Sequence, residues 1–351
     1  MSAAPGGRLD SLGMFDAAAA LPEQIETAAA AAAEVGPLPA LEEIESVLVL
    51  GMGGSGIAGD LLAAVAGPFM PVPVVVSKGY VPPSFVSDST LVFAISFSGD
   101  TEETVESASE AAVQGGKVVA VCRGGELGRL AESWRAPHVP VVGDIPMPRA
   151  ALGALAIPPL VVLERIGLFP GAVEWIGLAV DQLRRRRDEL VKDGNAAEQL
   201  ARRIGRTFPL VYGGGDVGAV AAMRWKADVN ENAKMPAFWH TVPELCHNEV
   251  CGWGQHGDLT RQLFTLVHLR HDEEHPQVMR RFELVAALVD EVVAGIEEVR
   301  AEGDGALAQL LDLVMMGDFT SLHLAAQEGV DPGPIPVLED MKAALARPGR
   351  G

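Results

Sequence analysis

Two turns in the first half of the chain concentrate small polar residues and glycines. Residues 51–56 read Gly-Met-Gly-Gly-Ser-Gly, and residues 96–104 read Ser-Phe-Ser-Gly-Asp-Thr-Glu-Glu-Thr. The first turn supplies backbone N–H groups and the hydroxyl of Ser55, and the second supplies the hydroxyls of Ser96, Ser98 and Thr101. Such groups at the start of a helix bind anions. An N-cap would explain one hydroxyl, so the two turns together predict a phosphate pocket.

The first turn also satisfies the GxGxxG pattern, which favours a dinucleotide site when it lies between a strand and a helix. In that fold an acidic residue about 20 positions later binds the ribose. Residues 76–79 occupy that place and read Val-Ser-Lys-Gly, without a carboxylate. The sequence therefore disfavours NAD, and Lys78 gives only weak support for NADP. An NAD(P)-dependent oxidoreductase is the weaker alternative.

The cysteines and histidines do not form a metal or disulfide pattern. Cys122, Cys246 and Cys251 include no CxxC pair, which argues against a structural zinc site and a disulfide framework. His271 and His275 can share a helix face, but no third ligand follows at metal spacing. No metal is predicted, and the sparse cysteines favour a reducing, cytoplasmic compartment.

The chain is acidic and poor in aromatic residues. Its 351 residues include 27 Lys and Arg against 47 Asp and Glu, a net charge of −20, and 5% are aromatic. Such a surface repels nucleic-acid backbones and anionic lipid, so neither nucleic acid nor a membrane is an expected partner. The most apolar run, residues 150–163, contains two prolines and is shorter than the about 20 apolar residues that span a bilayer. No signal peptide is evident near the N terminus.

Short β-branched runs alternate with helical stretches, as is typical of parallel sheets with crossover helices. The predicted strands of the first half are residues 47–50, 72–76, 91–95, 118–121 and 138–142. The pattern restarts in the second half with a strand at 210–212, a Gly-Gly-Gly turn at 213–215, a helix from about residue 217, a strand at 263–269 and a long helix over 277–301. We therefore predict an internal duplication of one α/β unit.

Other segments are predicted to be helical or irregular. Residues 184–187 are four consecutive arginines in a helical stretch, which we expect to form a solvated face. Residues 1–15 carry three glycines and a proline and are expected to be a mobile arm. The predicted division of the chain is an N-terminal arm and Ala-rich helix over 1–39, a first domain over 40–160, linking helices over 161–204, a second domain over 205–325 and a C-terminal tail over 326–351.

The two turns and several later segments resemble a known family. Residues 53–56 and 96–104 resemble the sugar isomerase (SIS) domain in the patterns Gly-Gly-Ser-Gly and Ser-x-Ser-Gly-x-Thr-x-Glu-Thr. Residues 230–237 (Asn-Glu-Asn-Ala-Lys-Met-Pro-Ala), residues 243–249 (Pro-Glu-Leu-Cys-His-Asn-Glu) and Pro148-Arg149 look like the bifunctional phosphoglucose/phosphomannose isomerase branch. The resemblance runs from about residue 40 to the C terminus. It implies an α/β fold of two doubly wound SIS-type (flavodoxin-like) domains with parallel sheets, an N-terminal helix and a C-terminal helical tail.

The resemblance also implies an activity and the residues that perform it. The family interconverts glucose 6-phosphate and fructose 6-phosphate through an enediolate, without a cofactor and as a homodimer, and mannose 6-phosphate is a further candidate substrate. Such a reaction needs a carboxylate base that works near neutral pH. The implied phosphate-binding residues are Gly54, Ser55, Ser96, Ser98 and Thr101. The implied catalytic residues are Glu231 as the base, His247 for ring opening, Arg149 for the enediolate charge and Lys342 at the ring end of the sugar.

Two departures from the family pattern bear on the activity. Asp100 stands where the SxSGNT motif usually has Asn, which places a carboxylate beside the predicted phosphate. Residues 333–335 (Gly-Pro-Ile) occupy the neighbourhood where a small polar residue is expected to admit mannose 6-phosphate. Asp100 motivates a second alternative, a non-catalytic regulator that binds a sugar phosphate. In this superfamily the partner subunit can contribute the ring-opening histidine, so the sequence leaves open which subunit supplies His247.

Overall fold

The computed structural model describes residues 9–345 of the chain. Within them, parallel strands form two sheets. The strands of the first sheet are β1 (Ser46–Leu50), β2 (Val74–Ser77), β3 (Thr90–Ser96), β4 (Lys117–Cys122) and β5 (His138–Pro140), in the spatial order β2-β1-β3-β4-β5. The strands of the second sheet are β6 (Phe208–Gly214), β7 (Phe238–Val242), β8 (Phe264–Arg270) and β9 (Gly295–Arg300), in the order β7-β6-β8-β9. Each sheet places its first strand between its second and its third, so the predicted duplication of a doubly wound unit is confirmed.

Helices alternate with these strands. In and before the first sheet they are α1 (Met14–Ala19), α2 (Leu21–Ala33), α3 (Gly53–Val65), α4 (Glu102–Val113) and α5 (Gly125–Trp134). The linking helices are α6 (Leu152–Ile166), α7 (Ala172–Leu190) and α8 (Ala196–Ile204). The remaining helices are α9 (Gly215–Asn232), α10 (Gly257–Leu263), α11 (Pro276–Val289), α12 (Ala306–Gln327) and α13 (Pro336–Leu345). Helix α3 follows β1 as α9 follows β6, so the two repeats share one strand-turn-helix unit.

The largest hydrophobic core lies between the two sheets. It joins their inner faces, where Val47 and Phe93 of the first sheet and Val211 and Val267 of the second are fully buried. Helices α6, α9 and α12 contribute to the same core. On the outer faces, α4 and α5 cover the first sheet and α11 covers the second. Because helices cover both faces of the first sheet, its central strands β1 and β3 are apolar apart from polar end residues.

The predicted helix over residues 277–301 is wrong in its second half. Helix α11 ends at Val289, and Gly295–Arg300 forms the edge strand β9. Most residues of β9 are only partly covered, so its sequence mixes charged and apolar residues and lacks the apolar run of a buried strand. The opposite edge strand, β7, was not predicted, and it too is incompletely buried over most of its length.

The arginine run is not uniformly solvated, contrary to expectation. Arg186 is buried, and its Nε and Nη2 each donate to a carboxylate oxygen of Asp312 on α12 at 2.8 Å. Helix spacing alone cannot reveal this carboxylate, because it comes from a helix far along the chain. Arg184 and Arg187 follow the prediction, since they pair with Glu26 and Glu23 on the surface of α2.

The expected mobile arm is fixed from residue 10 onward. Asp10 accepts hydrogen bonds from the N–H groups of Met14 (2.8 Å) and Phe15 (3.1 Å) at the start of α1. Residues 1–8 of the arm and residues 346–351 of the predicted tail lie outside the described residues. No helix within residues 9–345 is both long enough and apolar enough to cross a membrane.

Candidate active site

The glycine turn, residues 51–56, connects β1 to α3 in a tight loop. Gly53 has φ +53°, a left-handed conformation that favours glycine, and a Cβ at Gly51 would lie 2.9 Å from the backbone of Ser55. No side chain caps α3, and the N–H groups of Ser55 and Gly56 donate to the carbonyl oxygen of Met52. The N–H groups of Gly53 and Gly54 are therefore the ones left at the open end of the helix, with the helix dipole behind them. Ser55 is buried at this point. The turn therefore offers a backbone cradle for an anion.

The hydroxyl turn, residues 96–101, connects β3 to α4 and is held by its own side chains. The Oγ of the fully buried Ser96 lies 2.9 Å from the Oγ1 of Thr101 and accepts a hydrogen bond from the N–H of Gly99 at 3.1 Å. Gly99 has φ +87°, and a Cβ there would lie 1.9 Å from the carbonyl oxygen of Gly124. Glycine is thus required where the turn meets the start of α5.

Asp100 points away from the predicted phosphate. Its Oδ1 accepts a hydrogen bond from the N–H of Glu126 at 2.9 Å, in the first turn of α5, and its own N–H donates to the Oγ of Ser98 at 3.1 Å. A carboxylate at a helix N terminus is stabilised by the helix dipole. The residue that departs from the family motif therefore caps a neighbouring helix.

The two turns leave the sheet side by side. Strands β1 and β3 are parallel neighbours, and Leu50 pairs with Ala94. The turns thus meet at the carboxyl edge of the sheet, where the strand order reverses between β2, β1 and β3. Ligands of doubly wound sheets bind at this kind of edge. The structure brings the predicted phosphate-binding residues to one edge, as the sequence predicts.

Arg149 lies against the glycine turn. A Cβ at Gly54 would be 3.5 Å from the carbonyl oxygen of Pro148 and 3.8 Å from the Cα of Arg149. The Arg149 side chain is buried, and its Nε donates to the amide oxygen of Asn232 at 2.7 Å. Its Nη2 donates to the carbonyl oxygens of Pro332 and Gly333. These bonds fix the guanidinium beside the predicted phosphate site.

The remaining nitrogen of Arg149 faces Glu231. Nη1 lies 3.7 Å from Glu231 Oε2 and has no hydrogen-bond partner within the described chain. Glu231 sits one residue before the end of α9, with its side chain 31% exposed. Burial lowers the pKa of Arg149, and the charges of Glu231 and Asp228 oppose that change. The pair combines a partly open carboxylate with an unsatisfied, buried hydrogen-bond donor.

Lys234 follows α9, and no role is predicted for it from the sequence. It has φ +55°, and its Nζ donates to the carbonyl oxygens of Glu231 (2.6 Å) and Pro332 (3.1 Å). Burial lowers the pKa of Lys234, the charge of Arg149 lowers it further, and the charges of Asp331 and Glu231 oppose both effects. Lys234 lies within residues 230–237, the segment that resembles the family motif, and this position is the sequence signal that could have identified it.

A second buried arginine lies beneath Arg149, and the sequence analysis missed it. Arg224 contacts Asp228 on α9, with Nε 2.8 Å from Oδ2, and Asp318 on α12, with Nη2 3.0 Å from Oδ1. Burial raises the pKa of Asp228 well above its ordinary value, Arg224 opposes the rise, and Asp318 adds to it. The spacing of Arg224 and Asp228 by one helical turn inside a buried helix was the available sequence signal.

His247 and Lys342 lie away from this cluster. His247 is exposed at the end of the short helical turn Glu244–His247, whose Leu245 packs in the outer core beside α11. Glu231 instead lies on α9, which packs in the core between the sheets. Lys342 is exposed on α13, a helix without buried residues. Within residues 9–345, no hydrogen bond or ion pair joins His247 or Lys342 to Glu231 or Arg149.

Comparisons with known proteins identify the family of the chain. The SIS domain model matches residues 40–134, and the model of the bacterial phospho-glucose isomerase C-terminal SIS domain matches residues 193–345. The bifunctional phosphoglucose/phosphomannose isomerase of Caldicellulosiruptor bescii is 33% identical over 337 residues, which are 95% of this chain and 99% of that protein. The protein of the same name from Aquifex aeolicus is 31% identical and covers 88% of this chain and 92% of its own length.

Solved structures share the fold at lower identity. The C-terminal domain of glucosamine-fructose-6-phosphate aminotransferase from Francisella tularensis has a TM-score of 0.70 and 17% identity, and the match covers 91% of this chain and 96% of that one. At this identity the likeness concerns the fold alone. The motifs, the paired SIS domains and the full-length relatives place the chain among the phosphosugar isomerases, and it belongs to the bifunctional phosphoglucose/phosphomannose isomerase family.

Proposed function

We propose that the protein interconverts glucose 6-phosphate and fructose 6-phosphate by moving a proton between C1 and C2, with mannose 6-phosphate as a second substrate. The observation that carries the proposal is the placement of the buried Arg149 Nη1 at 3.7 Å from the Glu231 carboxylate. A donor and a carboxylate at this spacing can act on adjacent atoms of one small substrate. Two full-length relatives are named for this pair of activities.

In this proposal the substrate phosphate binds across the glycine and hydroxyl turns. Gly54 offers its N–H group and Ser55 its hydroxyl at the start of α3, while Ser98 and Thr101 offer hydroxyls at the start of α4. Ser96 shapes the second turn through its bonds to Gly99 and Thr101 and adds its own Oγ. These groups act within a few ångströms, inside the Debye length of about 8 to 10 Å, so the net charge of −20 does not prevent phosphate binding.

Glu231 then acts as the base that shuttles the proton. It removes the proton from C2 of the open-chain aldose, the electron pair of that C–H bond forms a C1–C2 double bond, and the C1 carbonyl oxygen becomes negatively charged. Nη1 of Arg149 donates to this oxygen of the enediolate and stabilises its charge. Glu231 returns the proton to C1 as the C1–C2 double bond is lost and C2=O2 forms, and the O2 proton passes to the negatively charged O1, which gives the ketose. Both turnover directions use the same two side chains.

Ring opening is assigned to His247 of the second subunit of a homodimer. Imidazole can donate and accept a proton near pH 7. The support is the family resemblance together with the exposure of His247 on the opposite side of the second sheet from α9. Lys342 lies on the exposed helix α13 and is assigned to the ring end of the sugar, again from the family resemblance and its exposure. A dimer would then complete each site.

Glu231→Gln tests the proposal in a coupled assay on fructose 6-phosphate, with mannose 6-phosphate formation followed in parallel. General acid–base catalysis contributes roughly 100- to 10,000-fold, so we expect kcat to fall by that factor. Glu297→Gln is the matched control, because Glu297 pairs with Arg203 on the edge of the second sheet. Unchanged turnover of the Glu231→Gln variant contradicts the mechanism, and binding without turnover by the wild-type protein would favour a regulator.

A further inference from the structure

Arg224 is a buried cation that the proposed mechanism does not use. It is 2% exposed and lies on α9, two helical turns before Glu231. Its Nη2 donates to the backbone carbonyl oxygen of Arg149 at 2.5 Å. One side chain thus connects the helix that carries the proposed base to the turn that carries the proposed enediolate-binding arginine.

Two carboxylates hold Arg224 in place. Asp318 on α12 accepts a hydrogen bond from the same Nη2 at 3.0 Å, and Asp228 Oδ2 lies 2.8 Å from Nε, which is an ion-pair contact without hydrogen-bond geometry. Removing one partner of a buried ion pair leaves an uncompensated charge and is strongly destabilising. In this arrangement Nη2 of Arg224 reaches both Asp318 and the carbonyl oxygen of Arg149.

The space around this cluster is too small for a substrate. A cavity of about 20 Å³ lies among Arg149, Arg224, Asp228, Asn232 and Asp318, and α1 and α2 line its far side. A cavity of this size holds about one water molecule. Arg224 thus acts on the reaction through other residues and not by touching the sugar.

The turn that Arg224 holds also borders the phosphate site. Residues 148–149 contact Gly54 in the glycine turn, and the side chain of Arg149 reaches Glu231. We propose that Arg224, fixed by Asp228 and Asp318, is a positioning residue that sets the Arg149 guanidinium relative to Glu231 and the phosphate turns. This proposal rests on the proposed function.

Arg224→Lys is the direct test, because lysine keeps the charge but cannot reach Asp228, Asp318 and the Arg149 carbonyl together. Loss of a residue that orients a catalytic group typically costs about 10- to 100-fold. We expect kcat on fructose 6-phosphate to fall by that factor while KM changes by less than about threefold, since the phosphate-binding groups are untouched. Asp318→Asn keeps the side-chain volume and should also lower kcat. It replaces Arg224→Lys as the test if that variant does not fold.

Arg186→Lys is the matched control. Arg186 is also a buried arginine paired with an aspartate of α12, but it lies at α7 and touches no proposed site residue. We expect it to lower the melting temperature and to leave kcat per folded molecule unchanged. If Arg224→Lys behaves like Arg186→Lys, with stability lost and kcat retained, Arg224 is only structural and the proposal is overturned.

A binding measurement separates this proposal from the proposed function. Calorimetry compares inorganic phosphate with a sugar-phosphate analogue that carries a carboxylate or hydroxamate in place of C1 and C2. If Arg224 is a positioning residue, Arg224→Lys should lower the affinity for the analogue by about 10- to 100-fold and the affinity for inorganic phosphate by less than threefold. Equal effects on both ligands overturn it. Absence of wild-type turnover would defeat the proposed function, whereas the affinity ratio tests the role of Arg224 in either case.

Discussion

The first and second sheets repeat one strand-turn-helix unit, yet only the first carries the proposed phosphate site. Gly53 has φ +53° and begins α3, and Gly215 has φ +58° and begins α9. At neither glycine would a Cβ meet another atom within 4 Å. The backbones of the two turns are therefore closely similar, and the difference between the repeats lies in their side chains.

The neighbouring strand ends differ in what they present to these turns. In the first sheet, β3 ends in the hydroxyl turn, with Ser98 and Thr101 on its surface. In the second sheet, β8 ends in Arg270 and His271, and Arg270 forms a double hydrogen bond with Glu274 at 3.0 and 2.8 Å. The Nε2 of His271 lies 2.7 Å from the carbonyl oxygen of Gly214.

Side chains of the protein itself thus pack against the Gly-Gly-Gly turn at residues 213–215. A Cβ at Gly214 would lie 3.1 Å from Glu274 Oε1, so this carboxylate packs against the turn. A carboxylate beside the turn opposes the binding of a phosphate there. The comparison shows that duplication preserves the backbone cradle, while side chains decide whether it binds a ligand.

The largest effect on ligand affinity should follow from displacing the hydroxyl turn of the first sheet. Gly99→Ala places a Cβ 1.9 Å from the carbonyl oxygen of Gly124, at φ +87°, and forces the hydroxyl turn to move. We expect inorganic phosphate and fructose 6-phosphate to bind at least about 1,000-fold more weakly, which corresponds to roughly 4 kcal/mol. Calorimetry with circular dichroism as the folding control measures this. A folded variant that retains phosphate affinity would show that the hydroxyl turn is not the phosphate site.

The sequence predicted the buried strands better than the exposed ones. Strands β1 and β3 are covered on both faces and appear as continuous apolar runs. Strands β7 and β9 lie at the edges of the second sheet, where partial exposure permits polar residues and removes that signal. Residues 295–300 consequently resembled a continuation of α11, because a half-exposed strand and an exposed helix can have similar compositions.

The candidate site was predictable where local motifs carry it. The side chains of the hydroxyl turn lie within six residues of one another in the sequence. The segment around Glu231 is recognisable by its family pattern. The contacts of Arg224 with Asp318, and of Asp100 with α5, join distant parts of the chain, so spacing could not reveal them. The roles of His247 and Lys342 stay predictions, since neither contacts Glu231 within the described residues of one chain.

An intermediate effect concerns acid stability, which we assign to the second sheet. His268 stacks on Tyr212 with ring centroids 5.8 Å apart and lies 5.0 Å from Phe282. Burial and the charge of Arg270 lower the pKa of His268 to about 4, and the charge of Glu298 opposes this decrease. Between its ordinary pKa of 6.5 and about 4, the unfolded chain binds a proton that the folded protein excludes. Stability therefore falls as the pH drops, by about 2 kcal/mol from pH 7 to pH 5.

His268→Phe should remove this acid sensitivity while keeping the aromatic packing. Urea unfolding at pH 7 and pH 5 compares the variant with the wild-type protein, and the phosphate affinity of the first turn serves as the control. The same loss of stability in both proteins would place the acid-sensitive group elsewhere.

The smallest effect comes from the equivalent glycines of the two repeats. Gly53→Ala and Gly215→Ala each place a side chain at positive φ without a clash, so each should cost about 1–2 kcal/mol of stability. Only Gly53→Ala disturbs N–H groups that face the phosphate, and loss of one hydrogen bond to a charged group is worth about 1.5–3 kcal/mol. We expect its KM for fructose 6-phosphate to rise about tenfold or more, against less than twofold for Gly215→Ala. Equal KM values at equal stability loss would mean that both turns, or neither, bind the substrate.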